Sequence, residues 1–328
     1  MAKRKETLGN EIMNEQAPMP NEEKKVVNVA RGFKNQRVVN ATVNTFLHIL
    51  LTVLSIVWLF PIVWLVLSSL RIESTGPAGY FIPKQWGFDN YVNLFTNSYI
   101  PYLKWFTNTL IVAIFTSIFS TIIVLLTSYT FSRLRFKGRK GIMKFLMILG
   151  MFPGFMSMIA IYFILKAIGL LPSGAGGSNQ TPVSNYLISL ILVNSSGAAM
   201  GYLVSKGYFD TISTSIDEAA EIDGANKAQI FWHIILPLSK PIVIYTALTS
   251  FMGPWGDYIF VATITRDKTE AWTIARGLYN MLNGPGMIGD YFTTFAAGAV
   301  LISIPITLLF IWMQKYYVSG VTGGAVKG

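Results

Sequence analysis

The chain has 328 residues, 52% of them hydrophobic and 13% charged, with a mean hydropathy of +0.48. Soluble domains carry about 25% charged residues, so this composition excludes an ordinary soluble protein and places the chain in a membrane. The lack of cysteine excludes disulfides and thiolate metal sites, and the net charge of +10 is gathered beside apolar runs, which points away from nucleic acid.

Residues 1–40 are polar, contain "QAPMPNEEKK" and are expected to form a disordered cytoplasmic arm. Six apolar stretches follow, near Thr45–Leu70, Phe106–Thr130, Ile142–Leu165, Val183–Ser205, Pro241–Ile264 and Phe292–Gln314. Each is long enough to cross about 30 Å of hydrocarbon, which takes roughly 20 residues. Backbone groups inside lipid must be satisfied within the segment, so the expectation is an all-α membrane protein with six transmembrane helices. Pro61, Pro153 and Pro305 fall inside three of them and predict kinks. The first stretch exceeds the 7–15 apolar residues of a cleaved signal peptide and follows a polar segment, so it reads as a span.

Basic residues set the expected orientation. With the N-terminus in the cytoplasm, the cytoplasmic segments hold 19 Lys and Arg against seven on the other side. Both termini are then cytoplasmic, as is the 206–240 segment, while 71–105, 166–182 and 265–291 are external. The domain reading is an arm over 1–40, a six-helix transmembrane domain over 41–316 and a cytoplasmic tail over 317–328. The second external loop holds the turn-rich "PSGAGGSNQTP". No G-x-x-x-x-G-K-[ST] string occurs, so ATP is not expected to bind through a P-loop of this chain. The two histidines, His48 and His233, are far apart, and no metal or other cofactor is expected.

The 206–240 segment is unusual for a loop between spans. Ser215 with Glu218 three residues on reads as a capping box, and Asp217 and Glu218 fall in the first turn, where the helix dipole favours negative charge. Ile216, Ala219 and Ala220 share a small, shallow face suited to close approach by another surface. Gly224 is placed for a turn with φ > 0, and a second helical piece presents Ile230, Phe231, Ile234 and Ile235. The spacing Glu218-Ala219-Ala220, Gly224, Ile234, Leu236-Pro237 resembles the cytoplasmic EAA loop of permease subunits of ATP-binding-cassette importers. The strings "FIPKQWGFDNYVNLF", "SFMGPWGDYIF" and "VSGVTGGAVKG" further resemble the second permease subunit of maltose/maltodextrin-type carbohydrate importers, from about residue 45 to the last residue.

The resemblance implies the type I ABC importer permease fold, a bacterial cell-membrane location and a non-catalytic role. Glu218, Ala219, Ala220, Gly224, Ile234, Leu236 and Pro237 would then dock on one of two separate ATPase subunits, which use the ATP and Mg. The other implied partners are a second permease, an extracellular solute-binding protein and a carbohydrate, with maltose/maltodextrin or a related oligosaccharide first. Another oligosaccharide or a glycerol-phosphate-like solute is the alternative.

Asp257 is the only acidic residue in any expected span. Such residues usually face a cavity or a partner, so Asp257, with Trp255 and Tyr258, is a candidate for the translocation path, as are Asn194 and Ser195. In the 265–291 loop, Trp272, Arg276 and Tyr279 are candidate contacts for a docked binding protein. A stand-alone secondary transporter would want midplane charges and a repeat, and a membrane enzyme would want a catalytic constellation; neither pattern is visible.

Overall fold

The computed structural model describes residues 20–152, 154–172, 181–284 and 289–322. The chain falls into two units, Met1–Trp64 and Leu65–Gly328. Helix α1, Pro20–Ser69, makes up the described part of the first unit and continues into the second. Its start lies inside the segment expected to be disordered. Proline suits a first helical position, and the Glu and Lys residues that follow are good helix formers, so the arm is helical from Pro20 onward. From Thr42 to Val63 the side chains are exposed, large apolar ones included, which suits a helix surrounded by lipid.

The second unit continues with α2 (Asp89–Thr96), α3 (Tyr102–Arg133), α4 (Arg139–Gly150), α5 (Gly154–Ala167) and α6 (Val183–Ser196). A three-ten turn, Ala198–Gly201, leads to α7 (Tyr202–Asp210) and α8 (Thr214–Ile222). Then come α9 (Lys227–Leu238), α10 (Lys240–Gly256), α11 (Ile259–Thr265), α12 (Ile274–Asn283) and α13 (Phe292–Thr322). Among the described residues the extended structure is one isolated antiparallel bridge, Arg71 to Trp86. The all-α expectation therefore holds.

Three helices are uninterrupted and apolar enough to cross a bilayer: Thr42–Ser69, Tyr102–Arg133 and Phe292–Gln314. The other three expected spans are interrupted, each for a local reason. The third breaks between Gly150 and Gly154, a poor helix-forming stretch whose Pro153 lies outside the described residues. The fourth breaks after Ser196, where Asn194 Nδ2 and Ser196 Oγ bond back to the carbonyls of Leu190 and Val193 and glycines follow. The fifth breaks at Asp257, whose Oδ1 accepts from Phe260 N at 3.1 Å and so opens α11. Helices α1 and α13 run through Pro61 and Pro305 without a break. The expected tail is helical as far as Thr322; residues 323–328 and most of "PSGAGGSNQTP" lie outside the described residues.

Helix α3 is the hub, packing against α6, α7, α10 and α12. Apolar clusters lie along it. One joins Trp105 and Ala113 to Trp255, Trp272, Ile274 and Leu278; another joins Leu125 and Tyr129 to Phe209, Ala220, Ile230 and Phe231. The first supports the 265–291 loop and the second the 206–240 segment.

Candidate functional site

In the 206–240 segment Ser213, in extended conformation, caps α8 by accepting from Ser215 N at 3.3 Å. The cap therefore sits two residues ahead of the expected Ser215, because Thr214 is already helical. Gly224 has φ +85°, as its position predicts. Its N–H donates to Glu221 O at 3.0 Å, and Ala225 N donates to Ala220 O at 2.9 Å, the bond pair that closes a helix on a left-handed residue. The capping box lies further on: Gln229 N donates to Asn226 Oδ1 at 2.9 Å and Asn226 N to Gln229 Oε1 at 2.8 Å. Its N-x-x-Q spacing was readable in the sequence. Helix α9 carries a π turn over Phe231–Ile235 and meets α10 at 84° beside the buried Ser239.

The small face expected on α8 is divided. Ala220 is buried against the cluster in which the Tyr129 and Phe231 rings lie 4.9 Å apart. Ile216, Glu218 and Ala219 are exposed, and Ile222 is 87% exposed. Gly224 and Pro237 are also exposed, while Ile234 and Leu236 are half-buried. Helix α8 thus presents an apolar side chain to its surroundings from a scaffold fixed at both ends.

Besides the apolar packing of Ala220, α8 is tied to the end of α3 by a residue that reads in the sequence only as a basic flank. The Arg133 side chain, 5% exposed, places Nε 3.2 Å from Asp217 Oδ2, and Asp217 is itself 11% exposed. Arg133 Nη2 donates to Phe209 O at 3.0 Å and Ile212 O at 2.7 Å. Burial pushes the Asp217 carboxyl above its ordinary pKa, and the guanidinium opposes that shift. Ser132 Oγ donates to Asp210 Oδ1 at 2.6 Å and Tyr129 OH to Lys227 O at 3.0 Å. Beside the pair lies an open polar cleft of about 770 Å³ lined by Arg135, Arg139, Glu218 and Glu221 among others.

At the opposite end of α3 the 265–291 loop is built onto the bundle. Asn108 Nδ2 donates to the carbonyls of Glu270 and Trp272, both at 2.9 Å, and Ile274 N donates to Thr109 Oγ1 at 2.8 Å. Trp272 is 7% exposed; its Nε1 donates to Arg266 O at 3.0 Å, so the indole holds the loop in place. Tyr279 is 43% exposed and remains open. Arg276 lies over the Trp272 ring at 4.9 Å and donates from Nη1 to Tyr258 OH at 2.9 Å, while the Tyr258 and Tyr279 rings are 4.1 Å apart. The two candidate groups of the sequence are therefore joined at Tyr258. The central part of "NGPGMIGD", residues 285–288, lies outside the described residues.

Of the candidate path residues, Asn194 lines a cleft of about 380 Å³ between α3, α6, α7 and α10. Thr116, Ser120, Ser205, Tyr245, Thr246, Thr249 and Ser250 share this lining with small residues, and among the described residues no charged one lines it. The Asn194 amide is held by Leu190 O at 3.0 Å, and the buried Asp257 Oδ2 has no hydrogen-bond partner among the described residues. Trp255, 5% exposed, packs on Phe106 at 5.3 Å between ring centroids and belongs to the core, and Ser195 is buried.

The chain superimposes on a chain of a bacterial ABC transporter that imports the acidic polysaccharide alginate, with a TM-score of 0.66 over 88% of this chain and 98% of that one, at 22% identity. The fold is that of an ABC importer permease. Residues 122–323, which include α8, α9 and the cleft-lining helices α6, α7 and α10, match the family model described as binding-protein-dependent transport system inner membrane component. The galactooligosaccharides transport system permease protein GanQ of Bacillus subtilis is 38% identical over 284 residues, covering 86% of this chain and 95% of that protein. The maltodextrin transport system permease protein MdxG of the same organism is 36% identical over 281 residues, with the same two coverages. The chain belongs to the family of binding-protein-dependent transport system inner membrane components.

Proposed function

We propose that the chain is one of two permease subunits in an importer powered by two separate ATPase subunits and supplied by an external solute-binding protein, and that its cargo is a neutral oligosaccharide of the maltodextrin or galactooligosaccharide type. The observation that carries the substrate class is the 380 Å³ cleft, whose lining offers hydroxyls, an amide and a tyrosine but no charge. Sugar hydroxyls both donate and accept, which suits Ser, Thr and Asn. An anionic solute such as a glycerol phosphate would call for Arg or Lys. The names of GanQ and MdxG support the same class.

Six spans, with both termini cytoplasmic, accommodate the interrupted helices as α1, α3, α4 with α5, α6 with α7, α10 with α11, and α13. The lysines and arginines support this orientation. Helices α8 and α9 then lie at the cytoplasmic surface, where Ile222, Ala219 and Glu218 meet an ATPase subunit. ATP and Mg act in those subunits, and this chain contributes motion. Displacement of α8 is passed to α10 across the corner at Ser239 and to α3 at Arg133. At the external end, Tyr258, Arg276 and Tyr279 form the mouth met by the loaded binding protein.

The test is uptake by the reconstituted complex of labelled maltodextrin, galactooligosaccharide and glycerol phosphate. ATP-dependent uptake of one or both neutral oligosaccharides and none of the anion is expected. Uptake of the anion alone would overturn the substrate class.

A further inference from the structure

Helix α3 is unbroken from Tyr102 to Arg133 and holds both ends of the chain's working parts. Asn108 and Thr109 grip the 265–291 loop near one end, and Ser132 and Arg133 grip the 206–240 segment at the other. At 1.5 Å per residue the two grips are about 38 Å apart. Arg133 is the terminal clamp, since a single guanidinium meets three elements. It belongs to α3, it binds the carbonyls that follow and end α7 at Ile212 and Phe209, and it faces Asp217 in the first turn of α8.

Stability alone gives a weak account of this pair. Apolar packing of Ala220, Phe209, Tyr129 and Phe231 already holds the segment, and a buried ion pair is often matched or bettered by apolar side chains of similar volume. What a guanidinium adds is a fixed fork of donors, which sets register where apolar surfaces slide. Arg133 and Asp217 line the open cleft together with the exposed ion pair Lys227–Glu221, so on that flank α8 is met by charged contacts, of which Arg133–Asp217 is the buried one and the one that reaches α3.

We propose that Arg133 is a positioning residue that makes α8 move with α3, so that displacement of α8 is carried along one rigid helix to the loop bearing Arg276 and Tyr279. This rests on the reading of α8 as the element that docks on the ATPase.

The experiment uses the whole reconstituted complex, carrying Ile222→Cys for cross-linking to an ATPase subunit bearing a single cysteine in its docking groove. It compares Arg133→Gln, Asp217→Asn and the exchange Arg133→Asp with Asp217→Arg. The single variants are expected to cross-link as well as the parent but to transport at least about five-fold less sugar per ATP hydrolysed, with the exchange recovering part of that ratio. Asp217→Asn preserves shape, so it reports even where Arg133→Gln fails to assemble. An unchanged ratio in the single variants, or a loss that tracks the fall in cross-linking or that the exchange fails to recover, would overturn the proposal. No cross-link in the parent would overturn the docking reading itself.

Discussion

Arg276 Nη1 donates a 2.9 Å hydrogen bond to the hydroxyl of Tyr258, and the Tyr258 ring lies 4.1 Å from that of Tyr279. A loop residue and a residue at the break between α10 and α11 thereby form one cluster. Breaking the bond should loosen the loop from the mouth without unfolding the bundle. Tyr258→Phe and Tyr279→Ala are each expected to lower stimulation of the ATPase by the sugar-loaded binding protein several-fold in the reconstituted complex. Stimulation equal to the parent's in both variants would reduce the cluster to loop packing.

Gly224 has φ +85° with open space around its Cα, so any penalty for a side chain there comes from the backbone alone. Left-handed backbone costs an L-residue about 1–2 kcal/mol. A β-branched side chain is worse placed, and asparagine tolerates this region best. Gly224→Val should assemble but lose most sugar-dependent ATP hydrolysis, while Gly224→Asn should retain most of it. Equal hydrolysis by the two variants would show that the turn does not control docking.

Gly277 faces Trp105 so closely that a Cβ would come within 2.1 Å of the ring. The indole cannot retreat easily, because it is buried in the cluster that carries the loop. Gly277→Ala is therefore expected to cost about 1–3 kcal/mol by overpacking. A lowered thermal midpoint of the purified complex checks this, and an unchanged midpoint would mean that the loop lifts freely from α3.

Glu73 gives a pH dependence with a definite sign. Burial alone would raise its pKa, but Lys84 N at 2.7 Å, Gln85 N at 3.2 Å and Tyr80 OH at 3.0 Å all donate to the carboxylate and hold it at about 2, below its ordinary 4.5. A depressed folded-state pKa contributes stability above the unfolded value, and that stability is lost as pH falls from about 4.5 through about 2. Hydrogen exchange at the amides of Lys84 and Gln85 should show protection that weakens across this window once intrinsic exchange rates are allowed for. Glu73→Gln should remove the pH dependence; protection that is flat in the parent would contradict the assignment.

The architecture was legible where it rests on one-dimensional signals. Uninterrupted apolar length located α1, α3 and α13, and the glycine at 224 announced its own positive φ. The breaks at Ser196 and Asp257 were not legible, because apolar length is blind to a polar side chain that satisfies its own backbone. Arg133 was hidden for a different reason. Six basic residues fill 133–144, and only the fold shows which of them turns inward to meet Asp217. Trp255 reads as a candidate for the translocation path and Trp272 as a contact for a binding protein, yet both are buried, since an aromatic side chain suits core packing as readily as recognition.

The uncharged lining of the cleft between α3, α6, α7 and α10 bears on the electrical character of transport. An elementary charge crossing a membrane at 100 mV exchanges about 2.3 kcal/mol with the field. On the proposed reading, a neutral sugar moving past these hydroxyls and the amide exchanges none. Collapsing the voltage across proteoliposomes at fixed ATP is therefore expected to leave the rate of uptake unchanged, so that a cell could fill with sugar equally well whether its membrane is energised or not, as long as nucleotide lasts.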